Sequence, residues 1–179
     1  MTVAERVALR LRAFAIRRHR DDPARWLAAA RATMRATRYC VLVTHDAAGP
    51  TARTVQPFPP DRDLTVHLGT DPTSRKAAQI DANGEAVVIF QRNRDGACVV
   101  AHCRARLLDD PPSKQRYFMP VWRAFWPAGP DERFAVIRCE PHTLEIWDAR
   151  RGVTPPPFGL RSARLTKADD GRWVAAAAG

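Results

Sequence analysis

The sequence predicts a mainly β protein, in which a closed or half-closed antiparallel barrel is flanked by helices. Three observations support this fold class. Short apolar stretches of strand length recur from residue 39 onward, turn signals separate them every few residues, and few segments have helical periodicity. We expect N-terminal helices over residues 1–36, the barrel domain over residues 37–150 and a C-terminal extension over residues 151–179.

Two helices are predicted before the barrel. Thr2 and Glu5 have the spacing of a capping box, and the apolar residues that follow recur at helical spacing between arginines. We expect this basic amphipathic helix to pack on its own domain or on a partner subunit, the alternative being a membrane surface. Asp22 and Pro23 end it and begin the second helix, as N-cap and first-turn residue.

From residue 39 the apolar period becomes that of strands. A turn at Glu140-Pro141 separates the last two barrel strands, and the tail is expected to add one strand or a hairpin through residues 169–171. Because Val66 and Leu68 alternate with His67, we expect the His67 side chain to face solvent. The seven expected barrel strands cover residues 39–44, 51–58, 64–70, 85–91, 97–108, 134–139 and 143–147.

The charge of the chain does not by itself indicate a partner. The net charge is +10, but only three of the 29 basic residues are lysines. Together with abundant alanine, this composition indicates a genome-wide preference for Arg and Ala codons. Aromatic residues do not interleave with basic ones as in RNA-binding motifs, and no zinc-finger spacing occurs. We therefore expect no nucleic-acid partner.

Neither a membrane anchor nor an export signal is predicted. No apolar run approaches the about 18 residues that a membrane span requires. Arg6, Arg10 and Arg12 interrupt the apolar centre that a signal peptide needs, so the expected location is cytoplasmic. The cysteines lack CxxC spacing and the histidines lack ligand spacing, so we expect neither disulfides nor a metal site.

The segment with the clearest chemistry is the turn after the third strand. A strand ends at Gly69 and Thr70, and a short helix follows, ended by Asn83-Gly84. The turn carries Ser74, Arg75 and Lys76, where a helix N-terminus presents unpaired backbone N–H groups. Hydroxyls and cations at such a position favour a phosphate, although an ordinary capped helix start has the same residues.

A third cation is expected beside this turn. Arg53 lies on the preceding strand, which a short turn joins to the strand ending at Thr70, so we expect the two strands to pair. Arg53, Arg75 and Lys76 would then surround one point. Like charges repel when they are desolvated without a counter-charge, and a bound phosphate monoester supplies that charge.

These motifs carry a resemblance to a known family. Residues 39–148 resemble the pyridoxamine 5′-phosphate oxidase-like, FMN-binding split-barrel superfamily, and within it the general stress protein 26 group. The Thr-x-x-x-Ser-Arg-Lys turn followed by Glu-x-Trp is specific in combination, while each piece alone is weak. The matching elements, in chain order, are YCVLVT, HDAAGP, ARTVQP, HLGTDPTSRKAAQI, VVAHCRARLLDD, FWPAGPDERFAVIRCEP and LEIWD.

The resemblance implies a dimeric split barrel of six or seven antiparallel strands, with one FMN in each of two clefts at the subunit interface. It implies that residues 53–56 run along the flavin, with the arginine on the phosphate and the backbone on the isoalloxazine ring. Trp147 approaches the flavin from the other subunit. The implied cofactor-binding residues are Arg53, Thr54, Val55, Gln56, Gly69, Thr70, Ser74, Arg75, Lys76 and Trp147.

The sequence departs from the true oxidase on the substrate side. The oxidase binds its pyridoxal substrate with a histidine-containing segment after the Glu-x-Trp, whereas here DARRGVTPPPFG follows Trp147. Pyridoxamine phosphate is therefore not the expected substrate. Cys98 stands where the oxidase has a Gln that contacts the flavin across the dimer, and Cys103 stands at a usual Gly.

These residues leave several functions open. The first is an FMN-dependent oxidoreductase that acts on a small molecule, with no catalytic side chain assigned because none stands out as an acid or base. The second is a flavin-binding stress or sensor protein without turnover. The third is a split barrel that has lost FMN or holds F420, haem or another ligand. The Ser-Arg-Lys turn favours FMN over haem, while F420 also carries a phosphate.

Overall fold

A computed structural model describes residues 1–157 and 160–176 of the chain. The sheet has the strand order β2-β1-β4-β5-β6-β7-β8, and β3 pairs with β6. The helices are α1 Val3–Arg18, α2 Pro23–Ala36, α3 Arg75–Asn83 and α4 Pro111–Arg116, with 3₁₀ turns at Pro120–Ala124 and Ala149–Arg151. The strands are β1 Cys40–Asp46, β2 Gly49–Val55, β3 Val66–Thr70, β4 Glu85–Arg92, β5 Ala97–Leu108, β6 Ala135–Trp147, β7 Ala163–Lys167 and β8 Trp173–Ala175.

The predicted fold class, mainly antiparallel β with flanking helices, is confirmed. Six of the described strands fall within residues 37–150, and the last two form the hairpin expected in the tail, with Thr166 opposite Val174. The Glu140-Pro141 turn is wrong, because both residues lie inside the continuous strand β6. Pro141 is tolerated there because β6 pairs with β3 only up to Cys139 and with β7 only from Thr143, which leaves Pro141 between the two ladders.

Helix ends follow local sequence signals. Oγ1 of Thr2 accepts a hydrogen bond from the backbone N–H of Glu5, and the Glu5 carboxylate accepts one from the backbone N–H of Thr2, which completes the predicted capping box. Asp22 caps α2, whose first residue is Pro23. Within the described residues, no helix combines the length and the hydropathy needed to cross a membrane.

The chain divides into two compact units. The first comprises residues 1–37, 90–100 and 143–179, and it contains α1, α2 and the β7–β8 hairpin. Its polar centre is Asp148, which is 1% exposed. The Asp148 carboxylate lies 2.8 Å from Nη1 of Arg151 and accepts a hydrogen bond from the Thr33 hydroxyl of α2. These bonds connect α2 to the segment that follows β6.

The second unit comprises residues 38–89 and 101–142, and it contains the β1–β2 hairpin, β3 and α3. β1 pairs with β2 on one side and with the first half of β4 on the other. An aromatic cluster around buried Trp122 and Phe134 packs against β3. A Cβ at Gly69 of β3 would lie 2.5 Å from Cζ3 of Trp122, so this close approach requires glycine.

The expected pairing of the strand carrying Arg53 with the strand ending at Thr70 is wrong. β2 pairs with β1, and β3 pairs with β6 from Val66 to Thr70. The segment after β2 contacts β3 through an isolated bridge between Pro57 and Leu68 and through a hydrogen bond from the backbone N–H of Phe58 to the carbonyl oxygen of His67 at 2.9 Å. β2 ends at Val55, and Pro57, Pro59 and Pro60 lack the backbone N–H groups that a longer ladder with β3 would need.

Candidate functional site

The predicted anion site is built around Arg53 on β2. Its Nη1 donates to Oγ1 of Thr44 at 2.6 Å, and its Nη2 donates to Oγ1 of Thr51 at 2.8 Å. Thr44 and Thr51 face each other across the β1–β2 hairpin. Longer hydrogen bonds reach the carbonyl oxygen of Leu42 at 3.4 Å and Oε1 of Gln79 at 3.5 Å. All these partners are neutral oxygens, so they fix the guanidinium in place and leave its charge uncompensated.

Gln79 links α3 to this arginine. Its Oε1 accepts hydrogen bonds from the hydroxyls of Thr44 and Thr51, and its Nε2 donates to Oδ2 of Asp46 at 2.6 Å. The hydrogen bond from Gln79 is the largest cause that lowers the pKa of Asp46, and the charge of Arg75 lowers it further. Side chains of β1, β2 and α3 therefore form one polar network beside Arg53.

The turn between β3 and α3 places two hydroxyls together. Thr70 is buried at the end of β3, and its Oγ1 lies 3.1 Å from Oγ of Ser74. Ser74 is the N-cap residue of α3, but its side chain caps no backbone N–H. The carboxylate of Asp71 instead accepts the backbone N–H and the hydroxyl of Thr73, each at 2.7 Å. The start of α3 thus keeps unpaired N–H groups and an available hydroxyl.

The structure brings Arg53, Arg75 and Lys76 together as one basic cluster. Burial is the main cause that lowers the pKa of Lys76, and the charge of Arg53 lowers it further, while Asp71 opposes this. Burial and then Arg75 lower the pKa of Arg53. Among the residues that the structure describes, none of the three forms an ion pair. Repulsion within the cluster makes its charged form less favourable when no ligand is present. A bound anion would offset this repulsion and would therefore bind favourably.

The other predicted residues of the second unit surround this cluster. Thr54 is exposed on β2, Val55 ends β2, and Gln56 follows it, both half-buried. Within the described chain β2 is the first strand of the sheet order, so one edge of its backbone faces no other strand. Gly69 is half-buried and lies one residue before Thr70.

Trp147 belongs to the other unit, at the end of β6. It is half-buried, and a Cβ at Gly96 would lie 3.5 Å from its Cζ3. Its indole Nε1 is buried and has no hydrogen-bond partner within the described residues. A buried indole N–H usually has a partner, so this donor is an exception among the described residues.

Sequence reasoning missed the residues that hold Arg53. Thr44 and Thr51 are equidistant from the turn that joins β1 to β2, and this symmetry is the signal that would have found them. Gln79 gave a weaker signal, a polar residue beside the apolar face formed by Ala77 and Ile80. Helical spacing alone does not decide whether Gln79 is buried or solvated, and in the structure it is 3% exposed.

The sequence decides the family. Residues 28–169 match the profile of the pyridoxamine 5′-phosphate oxidase-like family, and this match covers most of the chain. The chain belongs to that family. No curated protein sequence matches it.

Three solved structures illustrate the shared fold of the pyridoxamine 5′-phosphate oxidase-like chain. General stress protein 26 of Bacillus anthracis str. Sterne has 21% identity and a TM-score of 0.59, over 66% of this chain and 91% of that one. A pyridoxamine 5′-phosphate oxidase-related, FMN-binding protein of Nostoc punctiforme has 19% identity and a TM-score of 0.57, over 86% and 93%. PhzG of Burkholderia lata 383, in complex with tetrahydrophenazine-1-carboxylic acid, has 21% identity and a TM-score of 0.61, over 86% and 88%. At these identities the likeness shows the fold, that of the FMN-binding split barrels.

The expectation that His67 faces solvent is wrong for this family member. His67 is 3% exposed, and its ring stacks on Tyr117 with 3.9 Å between centroids and 11° between planes. Both faces of β3 are covered, because the chain after α4 returns over the face that carries His67. Burial is the main cause that lowers the pKa of His67, and the charges of Arg138 and Arg116 lower it further, while Asp61 and Asp63 oppose this.

His67 is therefore expected to make stability fall with acidification. Its folded pKa lies below its unfolded value near 6.5, so the unfolded chain binds the proton first, and the free energy of unfolding falls as the pH drops below that value. The slope due to one proton is at most about 1.4 kcal/mol per pH unit. Urea unfolding at several pH values between 7.5 and 5 measures it. His67→Gln is expected to flatten the dependence, and His45→Gln, which alters an exposed histidine, is expected to keep it; equal slopes in the wild type and His67→Gln would contradict the assignment.

Proposed function

We propose that the chain is an FMN-binding flavoprotein that acts as an oxidoreductase on a small molecule. The observation that carries the proposal is the basic cluster, Arg53, Arg75 and Lys76, which lacks ion-pair partners within the described residues and lies beside the Ser74 hydroxyl. An ester phosphate matches this arrangement in charge and in its number of acceptor oxygens. Family membership and the FMN-binding protein of Nostoc punctiforme with the same fold support the flavin as its carrier.

The residues present fit the phosphate of FMN. Ser74 caps no N–H of its own helix, and the first N–H groups of α3 have no intrahelical acceptor. The nearby carboxylate of Asp71 is directed to Thr73, and its pKa is lowered chiefly by the hydroxyl of Thr73. Arg53 would hold the phosphate from β2, and Lys76 from α3. Backbone N–H groups of the first turn of α3 would complete the shell.

The residues next to the cluster fit the rest of the cofactor. The free edge of β2, from Thr54 to Gln56, offers backbone donors and acceptors to the polar edge of an isoalloxazine ring. Thr70 and the backbone of Gly69 would contact the ribityl chain. When bound, FMN supplies the hydride or electron transfer, and these residues orient the ring and set its surroundings.

We further propose that the functional form is a homodimer. On one face of the second unit, Val41 of β1 lies opposite Ile89 of β4, and Val43 lies opposite Val87. All four side chains are only half-buried, which leaves an apolar strip exposed. A second copy of the chain would cover the strip, and the partner's Trp147 would then approach the flavin.

Pyridoxamine phosphate is not the proposed substrate. The segment after Trp147 contains Asp148, Arg150 and Arg151 and no histidine. The Asp148 side chain is engaged by Arg151 and by the Thr33 hydroxyl, so it is not available to a substrate. The proposed substrate class is therefore another small molecule that can exchange electrons with a flavin.

The test of the proposal is the visible absorption spectrum of the purified protein after incubation with FMN and gel filtration. Flavin bands that elute with the protein are the expected result. Elution of FMN in the salt volume alone would contradict the proposal. Bleaching of the bound flavin by NADH or NADPH, followed by reoxidation with a small acceptor, separates an oxidoreductase from the second candidate, a flavin-binding stress protein. The fold shared with general stress protein 26 favours that candidate.

A further inference from the structure

A polar cavity of about 350 Å³ lies beside β3 in the second unit. His67 of β3, Arg138 of β6 and Arg116 and Tyr117 at the end of α4 contribute to its lining. Successive side chains of a strand point to opposite faces, so His67 lies on the face of β3 opposite Thr70. The cavity is therefore distinct from the basic cluster proposed to hold FMN.

The centre of this cavity is an unsatisfied histidine. His67 is 3% exposed, yet its Nδ1 is buried and forms no hydrogen bond within the described residues. Oδ2 of Asp61 lies 3.7 Å from this nitrogen, which is too far for a hydrogen bond. The Tyr117 ring covers the imidazole and fixes its plane. A buried polar atom without a partner is costly, so a bound acceptor at this position would be stabilising.

Two guanidinium groups converge on the same cavity. Arg138 stands directly opposite His67 in the β3–β6 ladder, and its Nε lies 2.9 Å from Oε1 of Glu140. No hydrogen bond to its Nη groups is found in the part of the chain that the structure describes. Arg116 is exposed at the rim, with its Cζ 5.3 Å from the centre of the Tyr117 ring. Asp61 is the carboxylate among the lining residues, and Glu140 already pairs with Arg138, so the guanidinium groups act here mainly as hydrogen-bond donors, and Arg116 forms no ion pair among the described residues.

We propose that this cavity binds a small oxyanion, the phosphate or carboxylate group of a small molecule, between Arg116, Arg138 and the Nδ1–H of His67. A neutral imidazole donates one hydrogen bond, and a guanidinium donates two in a planar fork that matches two oxygens of such a group. The volume accommodates the group and a short organic chain attached to it.

The test uses the full chain and follows the ring Cε1–H signal of His67 by NMR, assigned by its loss in His67→Gln. Inorganic phosphate is added at constant ionic strength. A saturable shift of this signal is expected, together with a rise in the pKa of His67, because the anion offsets Arg116 and Arg138. The readout is local to the cavity, so phosphate bound at the basic cluster does not produce it.

Matched variants decide whether the two arginines hold the anion. Arg116→Gln changes an exposed side chain, and it is expected to weaken phosphate binding by about tenfold, as the loss of one charge-assisted hydrogen bond does. Arg138→Lys, which keeps the charge and removes the fork, is expected to weaken binding as well. Arg94→Gln removes an exposed cation of the β4–β5 loop and is expected to have no effect.

Two results would overturn the site. One is a His67 signal that shows no saturable response to phosphate, and the other is an equal loss of affinity in Arg116→Gln and Arg94→Gln. Repeating the titration with glycerol 3-phosphate identifies the source of the group. Tighter binding than inorganic phosphate supports an organic phosphate as the ligand, and weaker binding supports the free ion.

Discussion

Replacing both Arg53 and Lys76 by alanine is expected to weaken FMN binding by about 100-fold or more, because each charge-assisted hydrogen bond to a phosphate contributes about 1.5–3 kcal/mol. Riboflavin lacks the phosphate, so its affinity is expected to change by less than about threefold, since it never made those bonds. Quenching of flavin fluorescence on titration with protein measures both affinities. The comparison of the two ligands separates the phosphate from the ring, which a loss of FMN binding alone does not.

The control for this pair is Arg35→Ala with Arg94→Ala, which removes two exposed arginines outside the basic cluster. It lowers the net charge by the same amount, so a general electrostatic attraction between a basic protein and an anion would weaken equally in both double variants. We expect the control to retain FMN as the wild type does. An equal loss of FMN and riboflavin in the Arg53 and Lys76 double variant would show that these residues do not hold the phosphate.

The double variant is also expected to remain folded. Within the described chain neither residue forms an ion pair, burial lowers the pKa of both, and the charge of Arg53 lowers that of Lys76 further against the opposing charge of Asp71. Without Arg53, the hydroxyls of Thr44 and Thr51 keep Gln79 as a hydrogen-bond partner. The basic cluster therefore favours binding of an anion and lowers the stability of the ligand-free protein, as is typical of anion-binding sites.

The residues of the basic cluster were predictable from sequence, but the strand pairing that positions Arg53 was not. The Ser74 turn and the helix after it are local features, and their capping residues and terminal Gly84 are readable directly. The position of Arg53 depends on which strands are neighbours. Sequence proximity suggested pairing of β2 with β3, whereas β3 pairs with β6, whose residues lie about seventy positions later, since Thr70 is opposite Ala135. Arg53 reaches the turn through Thr44 of β1 and Gln79 of α3 instead.

His67 shows the same limit for burial. Alternation along β3 correctly places Val66 and Leu68 on one face, but it implies solvent on the other only if nothing covers that face. Tyr117, fifty residues later in the sequence, covers it. The sequence of β3 shows which of its residues share a face. It does not show that the distant segment containing Tyr117 covers one of those faces.

Replacing Asp148 by alanine is expected to give the largest loss of stability, about 3 kcal/mol in the free energy of unfolding, because it removes a buried carboxylate from its cationic partners. Asp148 is 1% exposed, and its Oδ2 lies 2.8 Å from Nη1 of Arg151 and 3.8 Å from Nη2 of Arg92. This expected loss in the free energy of unfolding is at the lower end of the range for a broken buried ion pair, for two reasons. Arg151 is one-third exposed, and Arg92 keeps its two 2.6 Å hydrogen bonds to Asp95.

Two further variants separate the charge of Asp148 from its hydrogen bonds. Asp148→Asn keeps the oxygen that accepts the backbone N–H of Arg151, so it is expected to lose about half as much stability as alanine. Asp170→Ala removes an exposed carboxylate that pairs with Arg172 at 2.6 Å, and no measurable change in the free energy of unfolding is expected. Urea unfolding followed by circular dichroism measures all three. If Asp170→Ala proved as destabilising as Asp148→Ala, the burial of Asp148 would not explain its effect on stability. The polar contacts of Asp148 would then not be what stabilises the end of β6 beside Trp147.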